Sequence, residues 1–302
     1  MMVRDGVDRC DGTTRYNDEE STRRTTPVWA RRRLDRAIPD LDLPSLAELG
    51  RDDLLARHRR LAVLFVARII LALAGFAACL ARGWWVGLAP ATWVIYGGSL
   101  TAVHHLIHGR LGLSPRTREW LLTALAAVVT ESGHALESTH LLHHETDADA
   151  PDPEGYIEHV PWRRMPIEAV RFRYRLMGWG LRHGGHRRRI RLEIAWHALV
   201  HIAAIAVSPL TWWPLAYVAA IAVASAGFAV MAGKGPQTNY GREVTTPLVI
   251  VRARFSRLAF FSHDRHLEHH AYPQVPLPRL RRLDGAIAPA LERAELVEVR
   301  LP

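Results

Sequence analysis

The chain of 302 residues carries a net charge of +9, nearly all from arginine, and 49% of it is apolar. Charge and apolar character sit in separate blocks, which points to membrane spans joined by polar segments. The two cysteines, Cys10 and Cys79, exclude a disulfide framework and a thiolate metal site.

The first sixty residues are polar, rich in arginine and aspartate, and lack the apolar stretch and small-residue cleavage site of a signal peptide. Disorder is expected to about Thr26, and an amphipathic helix at the membrane surface over Pro39 to Leu55. Two apolar runs follow, Leu61 to Ala81 and Trp84 to Val103, each close to the roughly 20 residues that a spanning helix needs. Only Arg82 and Gly83 separate them, so they form a tight hairpin, and Arg68 can snorkel to the interface. A second pair, Leu192 to Ser208 and Pro214 to Ala232, is joined through Pro209, Trp212 and Trp213, and tryptophan there suits an interfacial belt.

The stretch Glu119 to Thr139 is apolar enough to resemble a fifth span. A fifth span would put the first two histidine clusters on opposite sides of the bilayer and move Arg163 to Arg191 outside, against the positive-inside rule. Glu131, His134 and Glu137 also make its second half a poor lipid-facing helix. It is therefore read as interfacial or partly buried. With four spans and both termini inside, every histidine and arginine cluster falls on the cytoplasmic face of the cytoplasmic membrane. The arginine clusters flank apolar runs with no recognition motif beside them, so they argue for lipid headgroups and against nucleic acid.

Of 17 histidines, eight fall into three sets. His104 and His108 are four residues apart, one turn above the other on a helix; His140, His143 and His144 take positions i, i+3 and i+4, and His266, His269 and His270 repeat that spacing. Each set can aim its ring nitrogens at one point. A structural zinc site is complete with about four ligands, often with cysteine, whereas eight nitrogens suggest two ions. Imidazole suits several metals, and a redox-active pair such as iron would activate dioxygen. A membrane transporter of zinc or copper would instead place its ligands within the spans. Glu137, Asp149, Asp152, Asp264 and Glu268 lie near enough in sequence to orient the rings from behind. His197 and His201, four apart inside a span, fit either a substrate path or a helix-packing hydrogen bond.

The sets read H-H-L-I-H, H-L-L-H-H and H-L-E-H-H-A-Y-P, with D-A-D-A-P-D-P-E-G after the second. Over roughly residues 60 to 285 they resemble the histidine boxes of membrane fatty acid desaturases and of the related carotenoid ketolases and hydroxylases. The resemblance implies two iron ions held by His104, His108, His140, His143, His144, His266, His269 and His270, with O2 as co-substrate. His105 stands where such proteins often have aspartate, making it a possible extra ligand. A further ligand near the end of the last span would be Asn239 or Gln237, in G-K-G-P-Q-T-N-Y-G.

The expectation is an all-α integral membrane protein: four transmembrane helices and a cytoplasmic helical cap holding a histidine-rich di-metal site. It divides into a polar, partly disordered segment at 1–58, a desaturase-like domain at 59–285 and a tail at 286–302. The expected activity is O2-dependent desaturation of a fatty acyl chain, with a carotenoid ketolase, carotenoid hydroxylase or other lipid hydroxylase as the alternative. No phosphate loop, haem domain or flavin domain is visible, so electrons would come from a separate acidic protein such as a ferredoxin, docking on the basic face.

Overall fold

A computed structural model describes residues 42–55, 58–109, 111–145, 152–234, 249–253, 261–293 and 297–301. Ten helices are used below. The first two are α1 (Arg59–Arg82) and α2 (Trp85–Ile107), and the pair α3 (Pro115–Val128) and α4 (Gly133–Glu145) follows. Next come α5 (Met165–His183), α6 (Arg187–Val207) and α7 (Trp213–Phe228), whose last turn widens through Ala229–Lys234. The C-terminal part holds α8 (His266–Ala271), α9 (Leu277–Leu280) and α10 (Asp284–Arg293). A two-stranded parallel pair, β1 (Val249–Ala253) and β2 (Val297–Leu301), adds to the helical expectation.

Among the described residues, four helices are long and apolar enough to cross a membrane: Arg59–Arg82, Trp85–Ile107, Arg187–Val207 and Trp213–Met231. At 1.5 Å per residue the 24 residues of α1 extend about 36 Å, which clears a hydrocarbon core of about 30 Å. Their outer faces are apolar and open: Val63, Leu64, Ile70 and Leu71 on α1, and Leu192, Leu199, Ile202 and Ile205 on α6. Lipid, not water, is the solvent such faces suit. The chain is an integral membrane protein.

Both hairpin links lie at one end of the bundle. The first turns on Gly83, whose φ of 64° is open to glycine without strain, and Trp84 N–H closes the turn onto the Cys79 carbonyl at 2.8 Å. Trp85 stacks on Trp212 of the second link at 5.2 Å between centroids. Two stacked indoles at one level are what an interfacial belt requires.

The expected fifth apolar stretch is broken into two short helices. Ser114 accepts a hydrogen bond from Thr117 N–H and starts α3, with Pro115 in its first turn. The helix stops at Val129, and Thr130 turns the chain with φ of 52°. α4 begins at Gly133, where a β-carbon would lie 2.7 Å from the Leu122 carbonyl oxygen. Glycine therefore lets α4 fold back against α3, and neither piece is long enough to span.

The N-terminal expectation needs correction over the residues described. Residues 42–55 form turns and a short 3-10 helix at Asp52–Leu55, not one amphipathic helix. Leu43, Leu46 and Leu54 are buried with Tyr272, Leu280, Leu283 and Ile287, so their apolar side faces α8 to α10 rather than a lipid surface.

Candidate metal centre

The centre forms at the bundle end opposite the two links, because α2 delivers His104 in its last turn and His108 as its cap residue. α4, folded back by the Thr130 turn, brings His140, His143 and His144, and α8 brings His266, His269 and His270. The structure gathers all eight histidines into two groups. His104, His108, His140, His144 and His269 each offer a nitrogen, all within 4.8 Å of one another; His143, His266 and His270 do likewise.

The separations have the scale of a coordination sphere. Nε2 atoms lie 2.9 Å apart for His104 and His269, and 3.0 Å for His144 and His269. The pairs His108–His140 and His144–His140 are at 3.1 Å, and His266–His270 at 3.0 Å. Nitrogens about 2.1 Å from one ion and at right angles to each other are about 3.0 Å apart. The clusters are able to bind metal. His144 and His269 are buried, and burial followed by crowding from neighbouring imidazoles holds both well below the ordinary histidine range. That keeps them neutral, the form that ligates.

Two carboxylates hold rings from behind. His143 Nδ1–H donates to Asp152 Oδ2 at 2.7 Å, and His140 Nδ1–H donates to Glu154 Oε2 at 2.9 Å. Each bond leaves Nε2 with its lone pair facing the cluster. Asp152 Oδ1 also accepts the Glu154 N–H at 2.9 Å, and Glu154 Oε1 accepts the Thr139 hydroxyl at 3.0 Å. Asp152 and Glu154, in the described part of the acidic segment after the second set, thus lie against the rings. Asp152 was among the residues expected in this role, and Glu154 was not. Its signal is there in the same D-P-E-G run, 14 residues after His140.

Other expected residues sit elsewhere. The structure does not bring His105 into either group: its Nδ1–H donates to the Thr101 carbonyl at 2.6 Å, and its Nε2 accepts Leu277 N–H at 3.2 Å. Both ring nitrogens are spent, Nδ1 within α2 and Nε2 in tying α2 to α9. Glu137 pairs with Arg118, and Glu268 and Asp264 flank Arg265. Gln237, Asn239 and Asp149 lie outside the described residues. Glu119, His134 and Glu137 form a third close group. Arg118 and Arg189 engage its carboxylates, and His134 Nδ1–H donates to Glu193 Oε1 at 2.7 Å, so it reads as a clamp across α3, α4 and α6. His201 donates to the His197 carbonyl at 2.8 Å, a bond within α6, and the His197 ring lies 3.1 Å from the Arg173 guanidinium.

A partly open cavity of about 120 Å3 touches the centre, with His104, His140, His266 and His269 on its wall. Phe172, Leu176 and Phe228 make apolar surface around it. His263, three residues before the third set and not singled out by spacing, also lines it.

A fatty acid desaturase family model matches residues 82–301. The chain belongs to the fatty acid desaturase family. A search of curated proteins gave no match. The match covers all three histidine sets, Asp152 and Glu154, and three of the four candidate spans in full. This desaturase-family enzyme is therefore a membrane protein with histidine clusters able to hold metal, and the family implies a lipid substrate.

Proposed function

We propose that the chain is a di-iron, O2-dependent desaturase of a long acyl chain, its metal centre facing the cytoplasm. The observation that carries this reading is the division of eight histidine nitrogens into a group of five and a group of three. Five imidazole nitrogens crowd a single ion's sphere, and the separate three call for a second ion. His104, His108, His140, His144 and His269 would hold one iron, and His143, His266 and His270 the other. The pair supplies redox chemistry with O2, fed by electrons from a separate acidic carrier such as a ferredoxin.

The protein's own share is positioning and exclusion. Asp152 and Glu154 fix the tautomers of His143 and His140, so their Nε2 atoms stay aimed without reorganisation. Apolar walls admit a hydrocarbon segment beside His104, His140 and His269, and a chain seated against them would displace water from the reacting carbon. The lipid-embedded helices give an apolar substrate a route that never crosses water.

The test is product mass. The full chain, loaded with iron and supplied with reduced ferredoxin and O2, is incubated with acyl lipids and separately with carotene. An acyl product lighter by two hydrogens and two irons per chain are expected. Oxygen inserted without a new double bond would replace desaturation by hydroxylation or ketolation; a single tight zinc and no iron would overturn the redox reading.

A further inference from the structure

The cavity beside the centre has a polar wall that no part of the metal site uses. Tyr96, Glu131, Arg173 and Ser225 line it together with the histidines. All four are buried, with Arg173 only 3% exposed. Tyr96 O–H donates to Glu131 Oε1 at 2.9 Å and lies 3.0 Å from Ser225 Oγ. Ser225 O–H donates to Glu131 Oε1 at 3.3 Å, and Arg173 Nη1 stands 3.7 Å from the same oxygen. Arg173 Nη2 donates to the Thr130 hydroxyl at 3.1 Å and the Thr130 carbonyl at 3.3 Å.

Glu131 thus has donors around it, but Arg173 is short of acceptors. Its Nε and Nη1 are buried and make no hydrogen bond among the described residues. Buried donors left without an acceptor cost stability, and a buried ion pair returns little unless its remaining valences are met. A family enzyme acting on a plain hydrocarbon segment has no use for such a wall; apolar side chains would serve better. The arrangement makes sense if something that accepts hydrogen bonds enters the cavity.

We propose that this wall is a binding subsite for a neutral oxygen, a hydroxyl or carbonyl, carried by the substrate on its otherwise apolar chain. The oxygen accepts from Arg173 Nη1, the unpartnered donor beside Glu131, and, if a hydroxyl, donates to Glu131. Neutrality follows from charge. Arg173 and Glu131 already offset each other, so an added carboxylate would bring a second negative charge to one cation in a low-dielectric space. The cavity is small beside the roughly 300–1,000 Å3 of drug-sized ligand pockets, so only the reacting segment of a longer molecule fits. Because the polar wall and the histidines share one small cavity, the oxygen and the carbon presented to the centre belong to the same short segment.

This subsite rests on the proposed oxidation of a chain in that cavity, but its test reads binding, so the two fail separately. Radiolabelled octadecane, 1-octadecanol, 9-octadecanol, 9-octadecanone and stearate are bound to the iron-loaded full chain in detergent. The best neutral oxygen probe is expected to bind about 10- to 100-fold more tightly than octadecane, the factor one hydrogen bond to a charged group supplies. In the double variant Glu131→Gln with Arg173→Gln the preference falls below about 3-fold, with octadecane unchanged. If thermal unfolding shows that variant misfolded, Arg173→Lys keeps the cation but removes the Nε and Nη1 donors, and it loses the preference likewise. Octadecane binding as tightly as every neutral oxygen probe, stearate binding tightest, or a preference surviving in whichever variant folds would each overturn the subsite. A preference without any oxidised product would leave the subsite standing and remove the di-iron reading; product without a preference would do the reverse.

Discussion

At the scale of single residues, the two metal groups make different demands on the same imidazole. In the group of five, His269 lies within 3.0 Å of both His104 and His144, so removing it opens the middle of the set. His269→Ala is expected to lower metal content from two ions per chain to about one, read by elemental analysis, with oxidation lost. Asp152→Asn and Glu154→Gln leave every ligand in place but loosen ring orientation. Each should weaken metal affinity by about 10- to 100-fold without unfolding the protein, measured by competition with a chelator. The metal-free protein should also be acid-sensitive. His144 and His269 are held well below 6.5, so between that value and their folded values the unfolded chain binds more protons. Their share of stability is present above about pH 6.5 and is lost as pH falls through the folded values. Thermal unfolding of chelated protein from pH 8 to 4 should show the decline, and a flat profile would contradict it. The eight histidines were legible because helical spacing of i, i+3 and i+4 survives in the sequence as a pattern. Glu154 was not, because its contact with His140 depends on the turn at 152–154 that leads into the 3-10 helix Gly155–His159, and that turn has no periodicity to read. The same holds for His105, where only the distant backbone of Leu277 reveals that its nitrogens are already used.

At the scale of elements, the decisive feature is the fold-back of α4 on α3. The sequence signs were indirect: charge on the second half, and the cost of placing histidine sets on opposite sides. The physical device is local, a positive φ at Thr130 followed by a glycine with no room for a side chain at Gly133. Neither shows in a composition window, which is why Glu119 to Thr139 looked continuous. A second close approach holds α4 in place from the other side. At Gly180 on α5 a β-carbon would stand 2.9 Å from both Cα and Cβ of Ala135 and 3.3 Å from Ile190. Gly180→Val is therefore expected to push α5 off α4, at a cost of about 1–3 kcal/mol. Because α4 carries three of the eight histidines, the displacement should reach the centre, and metal retention should fall alongside the unfolding temperature in detergent. A variant that loses stability but binds both ions with unchanged affinity would show that α4 does not depend on that contact.

At the scale of the whole molecule, an even number of spans returns the chain to the side on which it entered, and the charge distribution says which side that is. The two links between paired spans hold one cation between them, Arg82; Ser208 to Trp212 hold none. The stretch between Ile107 and Arg187 holds nine arginines in its interior, from Arg110 to Arg182. Arginine gathered at one end, the residue that sets orientation whatever the accompanying carboxylates, with stacked Trp85 and Trp212 at the other, orients a bundle that is otherwise apolar on its outer faces. The metal centre lies at the arginine-bearing end, since α2 reaches His104 only in its last turn. The expected topology is then links outside, with centre, arginines and both termini inside, where a reduced carrier is found. Labelling of single cysteines in a background lacking Cys10 and Cys79 tests this. In intact cells an impermeant maleimide should react with Gly83→Cys and Leu210→Cys but not with Arg163→Cys or His183→Cys until the membrane is opened. Arg163 and His183 are exposed and outside the candidate spans, so protection by packing is not an alternative reason for silence there. Reaction at Gly83→Cys, Arg163→Cys and His183→Cys but not at Leu210→Cys in intact cells would mean an even number of crossings between Gly83 and Arg163, and the fold-back of α4 would have to be a span after all. Reaction at Arg163→Cys and His183→Cys alone would invert the bundle and place the centre away from any cytoplasmic electron donor.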